Sequence, residues 1–66
     1  MQRTLRAERE RRGWTLSRLA ERAGVHKSTV SRLEAGETAP TYTTVVALES
    51  ALGLKRGTLE FHEATQ

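Results

Sequence analysis

The stretch from Thr15 to Gly36, TLSRLAERAGVHKSTVSRLEAG, decides how this chain folds. It contains two short patterns with the helical spacing of apolar residues, one on each side of Gly24. Thr15 is a favourable N-cap for a helix that begins at about Leu16, and Gly24 is a favourable C-terminal stop. The second pattern predicts a helix over residues 27–35, which ends before a second glycine. The stretch therefore predicts two short helices joined by a tight turn.

The remaining chain adds helical patterns on both sides of this stretch. Residues 2–12 are strong helix formers and predict a first helix. Its thin apolar stripe is formed by Met1, Leu5 and the stems of Arg9 and Arg12. Thr41 predicts the cap of a fourth helix that runs to about Leu52. The broad apolar face of that helix is formed by Tyr42, Val45, Val46, Leu48 and Leu52.

The end of the chain predicts one more helical turn, which would cover the core with Leu54, Leu59 and Phe61. No segment alternates with a period of two residues for long enough to be a strand. The sequence therefore predicts an all-α fold, with five short helices in one domain over residues 1–66.

Composition limits the size of the core and the kinds of site. A chain of 66 residues can bury only about 60% of the surface that its unfolded form exposes, so an enclosed substrate pocket is not expected. There is no cysteine, and His26 and His62 are too far apart for a local pair of metal ligands. We therefore expect neither an enzyme nor a metal, cofactor or small-molecule site. The absence of cysteine fits a reducing, cytoplasmic setting. Because no run approaches the roughly 20 apolar residues that span a bilayer, we expect a soluble protein with no membrane partner.

The charge is unevenly distributed along the chain. Residues 1–36 carry nine lysines and arginines against four glutamates, a net charge of +5, whereas residues 37–66 have a net charge of −2. A basic half suits a polyphosphate partner, because neutralising phosphates releases their counterions. Taken alone, the same charge is explained equally well by a solvated, arginine-rich surface.

The spacing L-A-x-x-x-G-V-x-x-x-x-V-S-R-L-E-x-G resembles that of the phage repressor and Cro type of helix-turn-helix proteins, the xenobiotic-response-element family. The matching residues are Leu19, Ala20, Gly24, Val25, Val30, Ser31, Arg32, Leu33, Glu34 and Gly36. The resemblance extends from about Leu5 to Leu59. It implies a compact five-helix, lambda-repressor-like domain with a helix-turn-helix over residues 15–36.

The resemblance also implies which side chains contact bases. In this family the third helix enters the major groove of double-stranded DNA, and four of its positions contact base edges. Those positions correspond to Lys27, Ser28, Ser31 and Arg32. Helical spacing independently places the same four side chains opposite the predicted buried side of the helix. Lys27 and Arg32 suit the acceptor pair of guanine, whereas a serine hydroxyl can contact several bases or a phosphate.

Contacts with DNA phosphates are expected at the edges of this surface. The family commonly places an amide side chain at the first position of the second helix, where this chain has Leu16. The N–H groups of that helix start and the hydroxyls beside them remain available to a phosphate. The loop after Gly36 also departs from the family, because it lacks basic residues. The predicted phosphate contacts are Arg9, Thr15, Ser17, His26, Thr29, Thr38 and Thr43.

Two charged residues have predicted roles inside the domain. The family pairs an arginine at the position of Arg9 with a glutamate at that of Glu34, so we expect a partly shielded ion pair that also directs the guanidinium at a DNA phosphate. Glu49 falls within the apolar arc of the fourth helix. Its carboxylate either reaches water from an edge position or faces a partner subunit.

The leading functional hypothesis is a sequence-specific transcriptional regulator, a repressor that binds a palindromic operator as a homodimer in association with the nucleoid. Two-fold related third helices would enter major grooves about 34–36 Å apart. Dimerisation through the fourth and fifth helices is implied by the resemblance only. The alternative hypothesis is a protein-interaction module, an antitoxin or a bridging cofactor, that uses the same fold without contacting bases.

Overall fold

The computed structural model describes residues 4–61, and this part of the chain forms four α-helices and no β-strand. The helices are α1 (Leu5–Arg11), α2 (Leu16–Ala23), α3 (Lys27–Glu34) and α4 (Tyr42–Ala51). α2 packs against α3 and α4, and α1 packs against α3. The predicted all-α class is confirmed.

Threonine caps fix where three of the helices begin. The Oγ atoms of Thr4, Thr15 and Thr41 each accept a hydrogen bond from the N–H three residues later, at 3.0–3.2 Å. The caps of α2 and α4 are those predicted from the sequence. The predicted start of the first helix at residue 2 is wrong, because Thr4 is extended and the helix begins after it. The predicted contribution of Met1 to its apolar stripe lies outside the described residues.

Left-handed glycines end the helices and set the turn between α2 and α3. Gly24 has φ +72°, and the N–H of Val25 donates to the carbonyl of Ala20 at 3.0 Å. This is the six-to-one bond of a Schellman motif, which closes α2 and redirects the chain at once. The predicted tight turn is therefore present. α3 ends at Glu34, one residue earlier than predicted, with Ala35 as its C-cap.

The core lies between the inner faces of the four helices. Its buried members are Leu5, Leu19, Ala20, Val30, Leu33, Leu48, Leu52 and Leu59. Tyr42 is not part of it: the residue is 72% exposed, so its predicted place on the apolar face of α4 is wrong. Tyr42 is the first residue of α4, where its hydroxyl accepts a hydrogen bond from Arg56 at 3.4 Å.

The predicted fifth helix is absent from the described residues. Residues 52–61 form turns, and Gly53 and Gly57 both have positive φ. Leu59 is nevertheless buried, and Leu54 and Phe61 pack against the core, so these apolar residues cover it without helical structure.

Glu49 explains how that segment is held. The residue is 1% exposed, and its two carboxylate oxygens accept hydrogen bonds from the N–H of Gly57 (3.2 Å) and the N–H of Leu59 (3.0 Å). Neither interpretation of Glu49 made from the sequence is correct, because the carboxylate reaches neither water nor a partner subunit. It accepts hydrogen bonds from N–H groups of a segment that is not helical and so has no helix carbonyls to bond to.

A second buried glutamate, Glu8, binds Arg12, which connects α1 to the end of α4. Glu8 is 3% exposed and accepts a hydrogen bond from Nη1 of Arg12 at 2.9 Å. Nη2 of Arg12 donates to the carbonyl of Leu52 at 2.6 Å. Arg12 therefore contributes a charged link between two helix C-termini in addition to its apolar stem.

Candidate nucleic-acid interface

α3 presents one buried and one exposed face. Val30 is fully buried and Leu33 is 6% exposed, so this helix is anchored in the core along one side. The four side chains that the sequence places in contact with bases are all exposed: Lys27, Ser28, Ser31 and Arg32. They form what we call the α3 outer face. The helix is thus fixed by its apolar side and free to enter a groove with the other.

The cations of the α3 outer face have no partner within residues 4–61: neither Lys27 nor Arg32 forms an ion pair or a hydrogen bond there. The basic residues from α1 to the start of α2 differ from Lys27 and Arg32, because each of them lies within 4.0 Å of a glutamate. Those residues are Arg6, Arg9, Arg11, Arg12 and Arg18. The guanidinium of Arg22 lies over the ring of Trp14, 5.3 Å from its centroid. Within the helix-turn-helix, the cations that have neither an acidic partner nor a ring contact among residues 4–61 therefore lie on α3.

The beginning of α3 has no side-chain cap. His26 occupies the N-cap position, but its side chain makes no capping hydrogen bond and is exposed. Only its carbonyl takes part, accepting from the N–H of Thr29 at 3.0 Å. A shallow depression brings His26 together with Lys27 and with Ser17 of α2. Three predicted contact residues from both helices of the motif therefore share one surface.

The beginning of α2 is already capped internally. Oγ of Thr15 accepts from the N–H of Arg18, so the hydroxyl hydrogen of Thr15 is the part left for a phosphate. Ser17 is exposed on the same helix turn, and Leu16 is half-buried beside the core.

A cleft lies between α3 and the loop that leads to α4. The predicted contact residues Thr29, Arg32 and Thr38 all line it, together with Thr44. Thr43 is exposed on α4 and does not line this cleft. Thr41 donates its hydroxyl to Oγ of Thr44 at 3.0 Å, which leaves the Thr44 hydroxyl hydrogen free to point elsewhere. Thr44 is not among the contact residues predicted from the sequence, where only its place after the cap of α4 distinguishes it.

The structure brings Arg9 and Glu34 together across α1 and α3. Nε of Arg9 donates to Oε2 of Glu34 at 2.6 Å, and Nη2 donates to Oε1 at 3.0 Å. Nη1 of Arg9 donates to the carbonyl of Trp14 at 2.8 Å. The side chains are 13% and 9% exposed, respectively. The hydrogen bond to Glu34 raises the pKa of Arg9 above its ordinary value, so the guanidinium remains charged.

Residues 4–61 contain neither a cluster of metal ligands nor a membrane-spanning helix. Among them no three histidines, cysteines, aspartates or glutamates are grouped closely enough to hold a metal ion. Within the same range no helix is both long and apolar enough to cross a membrane.

Comparison with known proteins identifies the family of this chain. The profile of the family described as helix-turn-helix matches residues 5–59. A curated protein, the HTH-type transcriptional regulator SutR of Escherichia coli strain K12, is 41% identical over 51 residues, which cover 77% of this chain. The match spans 29% of the length of that relative. No solved structure gave a significant match. Because the family profile matches residues 5–59 and this relative is 41% identical, the chain belongs to the helix-turn-helix family of the phage repressor and Cro type.

Proposed function

We propose that this chain binds double-stranded DNA in a sequence-specific manner and regulates transcription, with α3 in the major groove. The observation that carries the proposal is the α3 outer face, where Lys27 and Arg32 are exposed and have no partner within residues 4–61. An arginine or lysine beside a groove is suited to the two acceptors of guanine. The membership of the family and the name of the relative support the same function.

In the proposed complex, base contacts come from Lys27, Ser28, Ser31 and Arg32. Contacts with phosphates surround them and fix the position of the domain without specifying sequence. Ser17 and His26 lie on one side of α3, in the depression that also includes Lys27. Thr29 and Thr38 lie in the cleft on the other side. Arg9 uses Nε and Nη2 for Glu34 and Nη1 for the carbonyl of Trp14, so one N–H on each of Nη1 and Nη2 is left to serve a phosphate near α1.

The operator in this proposal is a palindrome bound by a homodimer. A helix of eight residues such as α3 is about 12 Å long, so one copy spans only a few base pairs. Two copies related by a two-fold axis would contact successive major grooves about 34–36 Å apart and double the length of the site. The regulator is proposed to be a repressor, because the exposed face of α2 carries Arg18 and Arg22 with Glu21 and offers no acidic surface to another protein.

The experiment that tests this function is a fluorescence-anisotropy titration of a mixed-sequence duplex at several salt concentrations. We expect binding to weaken steeply with salt, because each neutralised phosphate releases counterions. Lys27→Ala with Arg32→Ala is expected to weaken binding strongly. Lys55→Ala is the matched control, because Lys55 is an exposed cation without an ion pair among residues 4–61 and lies outside α3.

Two outcomes would count against the proposal. Binding that does not depend on salt would exclude a contact with phosphates and favour the protein-interaction module. If Lys55→Ala weakens binding as much as the double variant does, overall charge, and not the α3 outer face, attracts the duplex.

A further inference from the structure

Glu49 is a buried carboxylate that the proposed DNA contacts do not use. Within residues 4–61 it forms no ion pair with a lysine, arginine or histidine. Its described partners are the N–H groups of Gly57 and Leu59, one for each carboxylate oxygen. A buried carboxylate is costly unless its oxygens accept hydrogen bonds, and such charge-assisted bonds are stronger than neutral ones. The carboxylate and these two N–H groups therefore depend on each other.

The segment that Glu49 holds lies against α3. We call residues 57–61 the C-terminal strap. Glu60 and Phe61 of the strap line a groove together with the last turn of α3 and the start of α1. Leu59 is 7% exposed and belongs to the same core cluster as Leu33 of α3. The strap thus packs beside the C-terminal end of the helix that carries the outer face.

The strap has little structure of its own to keep it in place. It contains no helix or strand and begins at Gly57, which has φ +84°. Its described backbone N–H bonds to other elements are those to Glu49. α2 packs along α3, and α1 holds the same end of α3 through Arg9 and Glu34. The strap, by contrast, is held by the Glu49 carboxylate together with the packing of Leu59 and Phe61.

We propose that Glu49 is a positioning residue for the DNA-binding surface: by holding the strap against the end of α3, it fixes the orientation of the α3 outer face without contacting DNA. The proposal rests on the DNA-binding function proposed above. Hydrogen bonds to base edges weaken steeply with small changes of distance and angle, so a loosened α3 loses specific affinity. If contacts with phosphates were lost or gained, the dependence of the Kd on salt would change. We expect no such change, because Glu49 does not contact DNA.

The test compares wild type with Glu49→Gln. The amide keeps the shape of the side chain but is neutral and has one acceptor oxygen. One N–H of the strap therefore loses its acceptor, and the bond that remains is no longer charge-assisted. Ser50→Ala is the matched control, because Ser50 is the next residue of α4 and is exposed. Three quantities are measured: amide hydrogen exchange in the strap, amide hydrogen exchange at the end of α3, and the Kd for a duplex enriched from a random library.

We expect Glu49→Gln to accelerate exchange of the Leu59 amide about tenfold or more. The amides of Gly36 and Glu37, which donate to carbonyls of α3, should also exchange faster than in wild type. The Kd should rise about threefold to tenfold, with an unchanged slope against salt. Ser50→Ala should match wild type in all three quantities.

The proposal is overturned if the Leu59 amide exchanges faster while Gly36, Glu37 and the Kd match wild type, because Glu49 would then hold the strap alone. It is also overturned if exchange at Leu59 does not change. Should wild type bind no duplex, the proposed function fails, and the exchange of α3 amides still decides whether Glu49 positions that helix. Should Glu49→Gln not fold, Phe61→Ala deletes the ring with which the strap packs against the core and lines the groove, and it is expected to give the same α3 and Kd effects.

Discussion

Replacing Glu34 by alanine should destabilise the domain strongly, because it leaves the guanidinium of Arg9 shielded and without its carboxylate. Removing one partner of a buried ion pair costs about 3–5 kcal/mol. Arg9 is 13% exposed and keeps its hydrogen bond to the carbonyl of Trp14, so part of that cost is recovered. We expect the free energy of unfolding to fall by about 2–4 kcal/mol.

For a domain of this size, a loss of about 1 kcal/mol lowers the Tm by about 4–8 °C, so Glu34→Ala should melt roughly 10 °C or more below wild type. The assay is thermal unfolding followed by circular dichroism. Glu37→Ala is the control, because it removes the same charge from an exposed residue that forms no ion pair among the described residues. If Glu34→Ala and Glu37→Ala both melt within a degree or two of wild type, the pair does not stabilise the fold.

The pH dependence of the same pair has a definite sign. The pKa of Arg9 is raised by its hydrogen bond to Glu34. A group whose pKa is higher in the folded state contributes stability that is present below its unfolded pKa and is lost only as the pH rises through the folded value. From about pH 7 to about pH 10, the difference in Tm between wild type and Glu34→Ala should therefore stay constant. A difference that shrinks over this range would contradict the raised pKa.

Three further substitutions test the fold and the proposed assembly. Gly24→Ala should cost about 1–2 kcal/mol in the free energy of unfolding, because φ is +72° there while the space around the added Cβ is open; an unchanged urea midpoint would contradict this. Thr41→Ala should cost about 1 kcal/mol through loss of the α4 cap, whereas Thr43→Ala should stay within about 0.5 kcal/mol, and equal effects would rule out the cap. Tyr42→Ser should leave the Tm within about 2 °C because the residue is 72% exposed, and should weaken any dimer formed through α4 in sedimentation velocity.

The helix-turn-helix could be predicted closely from the sequence because its signals are local. Thr15 and Gly24 define α2 through a cap and a left-handed stop, and both depend only on residues within a few positions. The outward direction of Lys27 and Arg32 follows from helical spacing once Val30 and Leu33 are buried. Local chemistry therefore sufficed for the part of the chain that carries the proposed function.

The C-terminal segment could not be predicted in the same way because long-range hydrogen bonds decide it. Leu54, Leu59 and Phe61 have the apolar character of a packed helix, but the N–H groups of the strap donate to Glu49, up to ten residues away. From periodicity alone, Glu49 belongs to a face that could end at water or at a partner. Only the folded chain shows that its acceptors are used inside the domain.

The same limitation affects the loop before α4. Thr38 was expected to contact a phosphate, and it lines a cleft with Thr29 and Arg32 of α3. Thr43 is predicted to have the same role; it is exposed on α4 outside this cleft, which Thr44 lines, and its phosphate contact stays a prediction. Neighbouring residues of a helix differ by about 100° in direction, so Thr43 and Thr44 face different ways. Which of them lines the cleft depends on how the loop packs against α4, and the sequence does not show that packing.

The central claim is that α3 contacts bases, and selection of bound duplexes from a random library tests it most directly. Wild type is compared with the double variant Lys27→Ala and Arg32→Ala, and with Lys55→Ala as the charge control. We expect an enriched inverted repeat with half-sites about one helical turn apart, lost in the double variant and kept in the control. Enrichment of the same repeat by the double variant, or no enrichment by wild type, would contradict it.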